Sequence, residues 1–230
     1  MDTLLIAAAV IPAVVLLIQV YRADRLEKEP ASLLLWLVLL GVAAMELAAL
    51  TEREETQLLR LLLPPDSALY NLIWCFAVVA FSEEGFKYLL LRRKTWHSPE
   101  FNCTFDGVVY SAFLSLGFAL WENIHYVLFY GLSAALARAV TAVPGHACFG
   151  VFMGTWYGLA KRAEQEGNHR EKRRRNWLSL LIPLLIHGGY DYIALVQSTR
   201  LQWLFIGFVG VLFFASLVVF YRMAYRDTYI

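Results

Sequence analysis

The sequence is poor in charged residues for its length. Of its 230 residues, 17% are charged and 59% are hydrophobic, whereas a soluble domain usually carries about 25% charged residues. The formal net charge is only +1, so no overall basic balance points to a nucleic-acid partner. The composition therefore excludes an ordinary soluble domain and directs attention to the long apolar segments.

Cysteine and local metal motifs are also scarce. The three cysteines, Cys75, Cys103 and Cys148, show neither CxxC nor zinc-ribbon spacing. Their odd number, with two of them inside apolar segments, predicts free thiols. The sequence contains no HExxH motif, no internal repeat and no low-complexity linker. We therefore treat residues 1–230 as a single domain.

Apolar segments long enough to cross a bilayer recur along the chain. About 20 predominantly apolar residues suffice for one transmembrane helix. The first segment has no basic residues before it and no small-residue cleavage site after it, so we interpret it as a retained helix. The fold class predicted is all-α, a polytopic membrane protein of about seven transmembrane helices. The predicted spans are 4–20, 31–50, 69–91, 106–130, 133–159, 177–197 and 202–221.

Basic residues predict the orientation of these spans. Most of the 20 Lys and Arg residues lie in alternate connections and in the C-terminal tail, including the run 171–175. Cytoplasmic connections carry such an excess, so we expect the N-terminus outside and the C-terminus in the cytoplasm of a cell-membrane protein. We interpret the 171–175 run as an orienting, headgroup-binding loop of the bilayer and not as a nucleic-acid patch.

Several predicted spans carry ionisable residues. One charge at mid-membrane costs about 2.5–3.5 kcal/mol on insertion scales, so these groups must face one another or a water-filled cavity. Helical spacing of four residues places Glu83 beside Lys87 and His187 beside Asp191. The motif-bearing core, about 69–197, contains the candidate site residues Glu83, Glu84, Lys87, Glu122, Asn123, His146, His187 and Asp191.

Each of these residues also has a purely structural interpretation. Lys87 is interpreted as a structural counter-ion in preference to a catalyst. Glu122 and Asn123 can act as hydrogen-bonding contacts between helices. His146 alone would be an ordinary core histidine, but a second histidine and two carboxylates nearby favour a functional role.

The set of residues is compatible with two hydrolytic mechanisms. In one, a glutamate such as Glu83 or Glu84 takes a proton from water, which attacks a peptide carbonyl. In the other, two histidines and a glutamate hold a catalytic zinc ion with an open position for water. The zinc set would be His146, His187 and Glu122. The sequence leaves both mechanisms open.

The order of the motifs resembles the PrsW family of intramembrane proteases. The resemblance rests on Glu83-Glu84-x-x-Lys87, Phe105-Asp106-Gly107, Gly117-Phe118-x-x-x-Glu122-Asn123, Gly145-His146 and His187-x-x-x-Asp191. The segment Asp24-x-x-Glu27-Lys-Glu-Pro30 is also similar to that family. The sequence is more distantly similar to the glutamate proteases that process prenylated CAAX proteins. It departs from those proteases at Lys87, Glu122 and Asp191, where they carry Arg, His and Asn.

The resemblance implies a membrane endopeptidase that makes the first cut in a single-pass anti-sigma factor. Two other classes compete with it. A proton- or ion-coupled transporter would use the same buried acids and histidines, but the chain lacks inverted repeats. A non-catalytic receptor or scaffold leaves the polar residues of four spans unexplained.

Overall fold

The computed structural model describes residues 2–65, 67–195 and 199–230, which form helices joined by short connections. An isolated β-bridge joins Cys103 to Tyr229. The α-helices are α1 (Asp2–Ala23), α2 (Ala31–Leu62), α3 (Ala68–Ile73), α4 (Phe81–Thr95), α5 (Asp106–Tyr130), α6 (Leu132–Val140), α7 (Ala142–Gln165), α8 (His169–Leu195) and α9 (Thr199–Tyr225), and a π-helix covers Trp74–Ala80.

Six helical segments of the described residues are long and apolar enough to cross a membrane. The predicted all-α polytopic fold is therefore confirmed. The third predicted span, 69–91, lies outside these six because it is divided among α3, the π-helix and α4, each of which is too short by itself to cross a membrane. It is nevertheless continuous, since α3, the π-helix and α4 follow one another without a break and the junction residues keep right-handed helical dihedrals. At about 1.5 Å per residue, this stretch is long enough for a seventh crossing.

The second and fifth spans differ from their predicted forms. The α2 helix continues to Leu62, so residues 53–55, which fall between the predicted spans 31–50 and 69–91 and were expected in a soluble loop, are helical and that expectation is wrong. Residues 51–62 are rich in Glu, Gln, Leu and Arg, which are strong helix formers even where hydropathy falls. The predicted span 133–159 is divided between α6 and α7 at Thr141, whose φ of −122° and ψ of −72° interrupt the helix. The last residues of the predicted span 177–197 lie outside the described residues.

The α5 helix occupies the centre of the bundle and packs against α7, α2 and α1. Its contact with α7 depends on a glycine of the Phe105-Asp106-Gly107 motif. A Cβ atom at Gly107 would lie 2.6 Å from the backbone nitrogen of Gly158 and 2.7 Å from the carbonyl oxygen of Gly154. Small residues of this kind allow membrane helices to approach closely, which fixes α7 against α5.

A layer of buried acids lies where the connection after α1 meets the start of α5. Glu29 accepts a hydrogen bond of 2.8 Å from the Tyr110 hydroxyl, which also lies 2.9 Å from the carbonyl oxygen of Glu100. The C-terminal tail closes this layer, because Asp227 accepts a hydrogen bond from the Phe105 amide. Residues 24–30, the segment similar to the PrsW family, therefore help to form this buried layer at one end of the bundle.

Burial raises the pKa values of two carboxyl groups in this layer. The pKa of Glu29 rises to about 7, chiefly because the side chain is buried and in addition because Asp24 and Glu100 repel its charge. Tyr110 and Asp106 oppose the rise through hydrogen bonds. The pKa of Asp24 rises to about 6 for the same principal reason. The folded state therefore holds protons at these carboxyls that the unfolded chain would release.

We expect the fold to lose stability as the pH rises from about 4 to about 7. An acid whose pKa is raised by folding binds more protons in the folded state, so the free energy of unfolding falls across that window. At about 1.4 kcal/mol per pKa unit, Glu29 accounts for a loss on the order of 3 kcal/mol. Thermal unfolding of the detergent-solubilised protein at several pH values measures this loss.

The variant Glu29→Gln should flatten the pH dependence, because an amide keeps the contact with Tyr110 without a charge. Glu27→Gln is the matched control, since it removes an acid from the same connection at an exposed position. Equal pH slopes for both variants and the unmodified protein would contradict the assignment to Glu29.

Candidate active site

The centre of the candidate site is the buried ammonium group of Lys87 on α4. Its Nζ lies 3.1 Å from Oε2 of Glu83, 2.8 Å from Oε1 of Glu84 and 3.2 Å from Nδ1 of His146. The side chains of Lys87 and Glu84 are fully buried. The ring of Phe118 lies beneath the ammonium, 3.7 Å from Nζ to the ring centroid. The predicted pairing of Glu83 with Lys87 is confirmed.

The contacts of His146 on α7 determine which ring nitrogen carries its proton. An ammonium group has only donors, so Nδ1 must accept the hydrogen bond from Lys87. The proton then lies on Nε2, which donates to Oε2 of Glu122 at 3.0 Å. The lone pair of Nδ1 therefore points into the cluster.

His187 on α8 lies between two carboxylates, so its Nδ1 donates where Nδ1 of His146 accepts. Its Nδ1 lies 2.9 Å from Oε1 of Glu84, and its Nε2 lies 3.3 Å from Oδ2 of Asp191. The ring stacks on Phe149 with a centroid separation of 4.6 Å. The predicted proximity of His187 and Asp191 is confirmed. Nε2 of each histidine thus lies beside a more peripheral carboxylate, and Nε2 of His187 is also 3.9 Å from Oε2 of Glu83.

A cavity of about 410 Å³ adjoins the cluster. Glu83, His146 and His187 line it, whereas Glu84 and Lys87 do not. The two neighbouring glutamates therefore have different surroundings. Glu83 has access to the cavity, and Glu84 is enclosed between the ammonium and the second histidine.

The π-helix Trp74–Ala80 ends just before the two glutamates. Such i→i+5 turns are rare and often occur at functional sites. Val79 of this segment lines the cavity, and Phe76 packs against Gly188, next to His187. The π-helix thus contributes both to the cavity wall and to the contact of this span with α8.

The structure brings most of the predicted site residues together. Glu122 joins the cluster through His146, and Asp191 joins it through His187. Asn123 lies elsewhere: its Nδ2 donates to the carbonyl oxygen of Ala9 at 2.9 Å, and its Oδ1 accepts from Arg138. It connects α5 to α1 and lies outside the cluster.

Sequence reasoning missed three residues at the cavity. Arg138, which belongs to none of the sequence motifs, forms an ion pair with Glu122. Its position inside the predicted span 133–159 was the available signal, because an intramembrane cation is costly. Glu52 lines the cavity because α2 is longer than predicted. Phe149 follows His146 by three residues, but nothing in the sequence distinguishes it from a core aromatic residue.

Four side chains of the cluster, three of which also bond to the Lys87 ammonium, offer donor atoms that could hold a metal ion. Glu83, Glu84, His146 and His187 each offer one ligand atom, and these atoms lie within 4.8 Å of one another. Oε2 of Glu84 is buried and has no hydrogen-bond partner among the described residues. Nitrogen and carboxylate donors in this combination suit zinc.

The charges of the cluster also leave room for a cation. The carboxylates of Glu83, Glu84, Glu122 and Asp191 outnumber the cations Lys87 and Arg138 by two. Buried charges need compensation, so the cluster requires further positive charge. Protons on its acids and histidines supply it, or a divalent ion does.

Comparison with known proteins agrees with the motifs. Residues 29–221 match the family described as PrsW family intramembrane metalloprotease. The chain is 35% identical over 195 residues to protease PrsW of Geobacillus kaustophilus, which covers 84% of the chain and 81% of the relative. It is 31% identical over 206 residues to protease PrsW of Bacillus subtilis, with 87% of each protein covered. No solved structure matches the chain.

These findings agree with the apolar spans and with the acids and histidines that four of the helices bring together. They place the protein among membrane-embedded peptidases and not among transporters or receptors. The chain belongs to the PrsW family of intramembrane metalloproteases.

Proposed function

We propose that the protein is an endopeptidase that cuts a single-pass membrane protein with water activated at Glu83. The observation that carries the proposal is the convergence of Glu83, Glu84, His146 and His187 beside one cavity within the membrane-spanning bundle. Peptide hydrolysis in a membrane needs a water molecule, a base and a polar pocket. This cluster supplies the base and the pocket.

Glu83 is the better candidate for the general base. It lines the cavity, so its carboxylate can reach a water molecule there. Glu84 is fully buried and is held by Lys87 and His187, so its role is to position these groups. Glu83 would take a proton from the attacking water and later deliver it to the leaving amine.

The two histidines would hold a zinc ion together with Glu84, since three protein ligands are usual in catalytic zinc sites. Glu84 takes the place of Glu122 of the predicted zinc set, because Glu122 lies outside the group of potential ligands. When bound, the ion would polarise the scissile carbonyl and acidify the water. Glu122 and Asp191 would orient the histidines by accepting the Nε2 protons, a frequent arrangement around metal-binding histidines. Arg138 would hold Glu122 in place.

The proposed orientation has the N-terminus outside and the C-terminus in the cytoplasm. The cavity is lined by the second half of α2 and the beginning of α7, at the end of the bundle away from the basic connections. Under the positive-inside rule, the cavity lies in the outer half of the membrane. A first cut near the outer end of a substrate helix fits an anti-sigma factor, which the motif resemblance implies as the substrate.

We expect Glu83→Gln to lower cleavage of a single-pass substrate by about 100-fold or more, because general bases contribute 10²–10⁴-fold. The purified protein and a model single-pass substrate in liposomes give the rate by gel or mass spectrometry. Glu46→Gln is the matched control, since it removes a glutamate of α2 that contacts Trp121 outside the cluster. Undiminished cleavage by Glu83→Gln would refute its role as base.

The metal content of purified variants distinguishes the proposed roles of Glu83 and Glu84. We expect one zinc ion per purified chain, retained in Glu83→Gln and lost in Glu84→Gln and His146→Ala. His125→Ala is the control, because His125 lies outside the group of potential ligands. Elemental mass spectrometry on each variant measures the ratio.

A different result would change the mechanism. If the unmodified protein contains no metal and its cleavage survives chelators, the zinc proposal is wrong. Hydrolysis would then depend on the glutamates, with the histidines as proton and oxyanion partners.

A further inference from the structure

A second cavity, of about 610 Å³, lies between α4 and α8 at the opposite end of the bundle from the cluster. Basic side chains from both helices line it, and no acidic side chain belongs to its lining. The lining residues are Tyr88, Arg92, His169, Lys172, Arg173, Asn176, Trp177 and Leu180. This concentration of positive charge suits an anionic ligand.

Two of the cations are free of acidic partners among the described contacts. The guanidinium of Arg92 bonds to the Tyr88 hydroxyl at 3.1 Å. Arg173 forms no ion pair within the described residues, whereas Lys172 pairs with Glu164. The positive charge of Arg92 and Arg173 is therefore available to a ligand.

A buried polar group in the cavity wall also lacks a partner. Asn176 lines the cavity and is only 9% exposed. Its Oδ1 has no hydrogen-bond partner among the described residues. An unpaired buried amide oxygen is costly, and a hydroxyl donor on the ligand would satisfy it. The ligand therefore combines a negative charge with a hydroxyl group.

The depth of the cavity indicates where such a ligand comes from. Trp177 lies on its rim and is 66% exposed, and tryptophan prefers the level of the lipid headgroups. Leu180 extends the lining one turn further toward the apolar part of α8. A ligand with a charged head and an apolar tail fits a cavity whose basic lining passes into an apolar one.

We propose that this cavity binds the headgroup of an anionic phospholipid with a hydroxylated headgroup, such as phosphatidylglycerol. The phosphodiester lies between Arg92 and Arg173, and the glycerol hydroxyl donates to Asn176. A headgroup bound here bridges α4, which carries Glu83 and Glu84, and α8, which carries His187. It thereby ties together two of the helices that form the catalytic cluster.

Native mass spectrometry of the whole protein, released from nanodiscs containing phosphatidylglycerol and phosphatidylcholine, tests the proposal. The unmodified protein should retain one phosphatidylglycerol molecule. Each basic side chain at an anionic headgroup contributes about five-fold in affinity, so Arg92→Gln with Arg173→Gln should weaken retention about 25-fold. Arg93→Gln with Arg174→Gln is the matched control, because it removes equal charge from the same helices outside the cavity.

A second variant keeps the test valid if the double variant fails to fold. Asn176→Asp keeps the shape of the side chain but adds a negative charge to the wall of a cavity that holds an anion, so it should also weaken retention of the lipid. The melting temperature of the unmodified protein should rise with added phosphatidylglycerol, because a ligand of the folded state stabilises it. Inorganic phosphate with neutral lipid should give no such rise.

Two results would overturn the proposal. Equal retention by the cavity variants and the matched control would show that phosphatidylglycerol binds through general surface charge. Equal stabilisation by inorganic phosphate would identify the ligand as a free anion and not a lipid.

Discussion

The buried contact of the Lys87 ammonium with two glutamates and a histidine is the constraint on which the candidate site depends. An uncompensated charge within a membrane costs several kcal/mol, so each partner must be held where it neutralises another. Lys87 draws Glu83 and Glu84 of its own helix toward His146 of α7. Glu84 extends the contact to His187 of α8. The requirement for charge compensation thus assembles three helices around one point.

Helix packing on the side of the cluster away from the cavity holds this arrangement in place. Glycines allow α5 to approach α7 so closely that an added Cβ at Gly107 would overlap backbone atoms. Phe118 of α5 then lies beneath the ammonium, and Phe149 of α7 stacks on His187. These aromatic rings occupy the apolar side of the cluster, so its polar side is directed to the cavity. The position of Glu83 on the cavity wall, next to buried polar groups, is the arrangement that the proposed hydrolysis within a membrane needs.

Much of the fold could be predicted from the sequence, because membrane-spanning helices follow from length and hydropathy. The i,i+4 pairs Glu83–Lys87 and His187–Asp191 could be predicted from helical geometry alone, and both form. The sequence predicts only that Glu122 and His146 lie near one another. Their contact joins α5 and α7, and no local sequence pattern specifies how these two helices are rotated relative to each other. The exposed apolar side chains mark the spans but carry no signal for that rotation.

The remaining differences have specific physical causes. The extension of α2 to Leu62 follows from helix propensity beyond the apolar stretch, and it brings Glu52 to the cavity. The division between α6 and α7 at Thr141 places Arg138 beside Glu122. A hydropathy profile averages over such a break. The different surroundings of Glu83 and Glu84 depend on their three-dimensional contacts, so the sequence alone assigned them no separate roles.

The position of the cleaved bond along the substrate helix tests most directly whether the catalytic centre lies at this cluster. A synthetic single-pass substrate reconstituted with the protein in liposomes of known orientation can be cleaved and its products sequenced by mass spectrometry. We predict hydrolysis of a bond in the outer half of the substrate helix, level with Glu83. A cut near the cytoplasmic end of that helix would contradict the placement of the catalytic centre at this cluster.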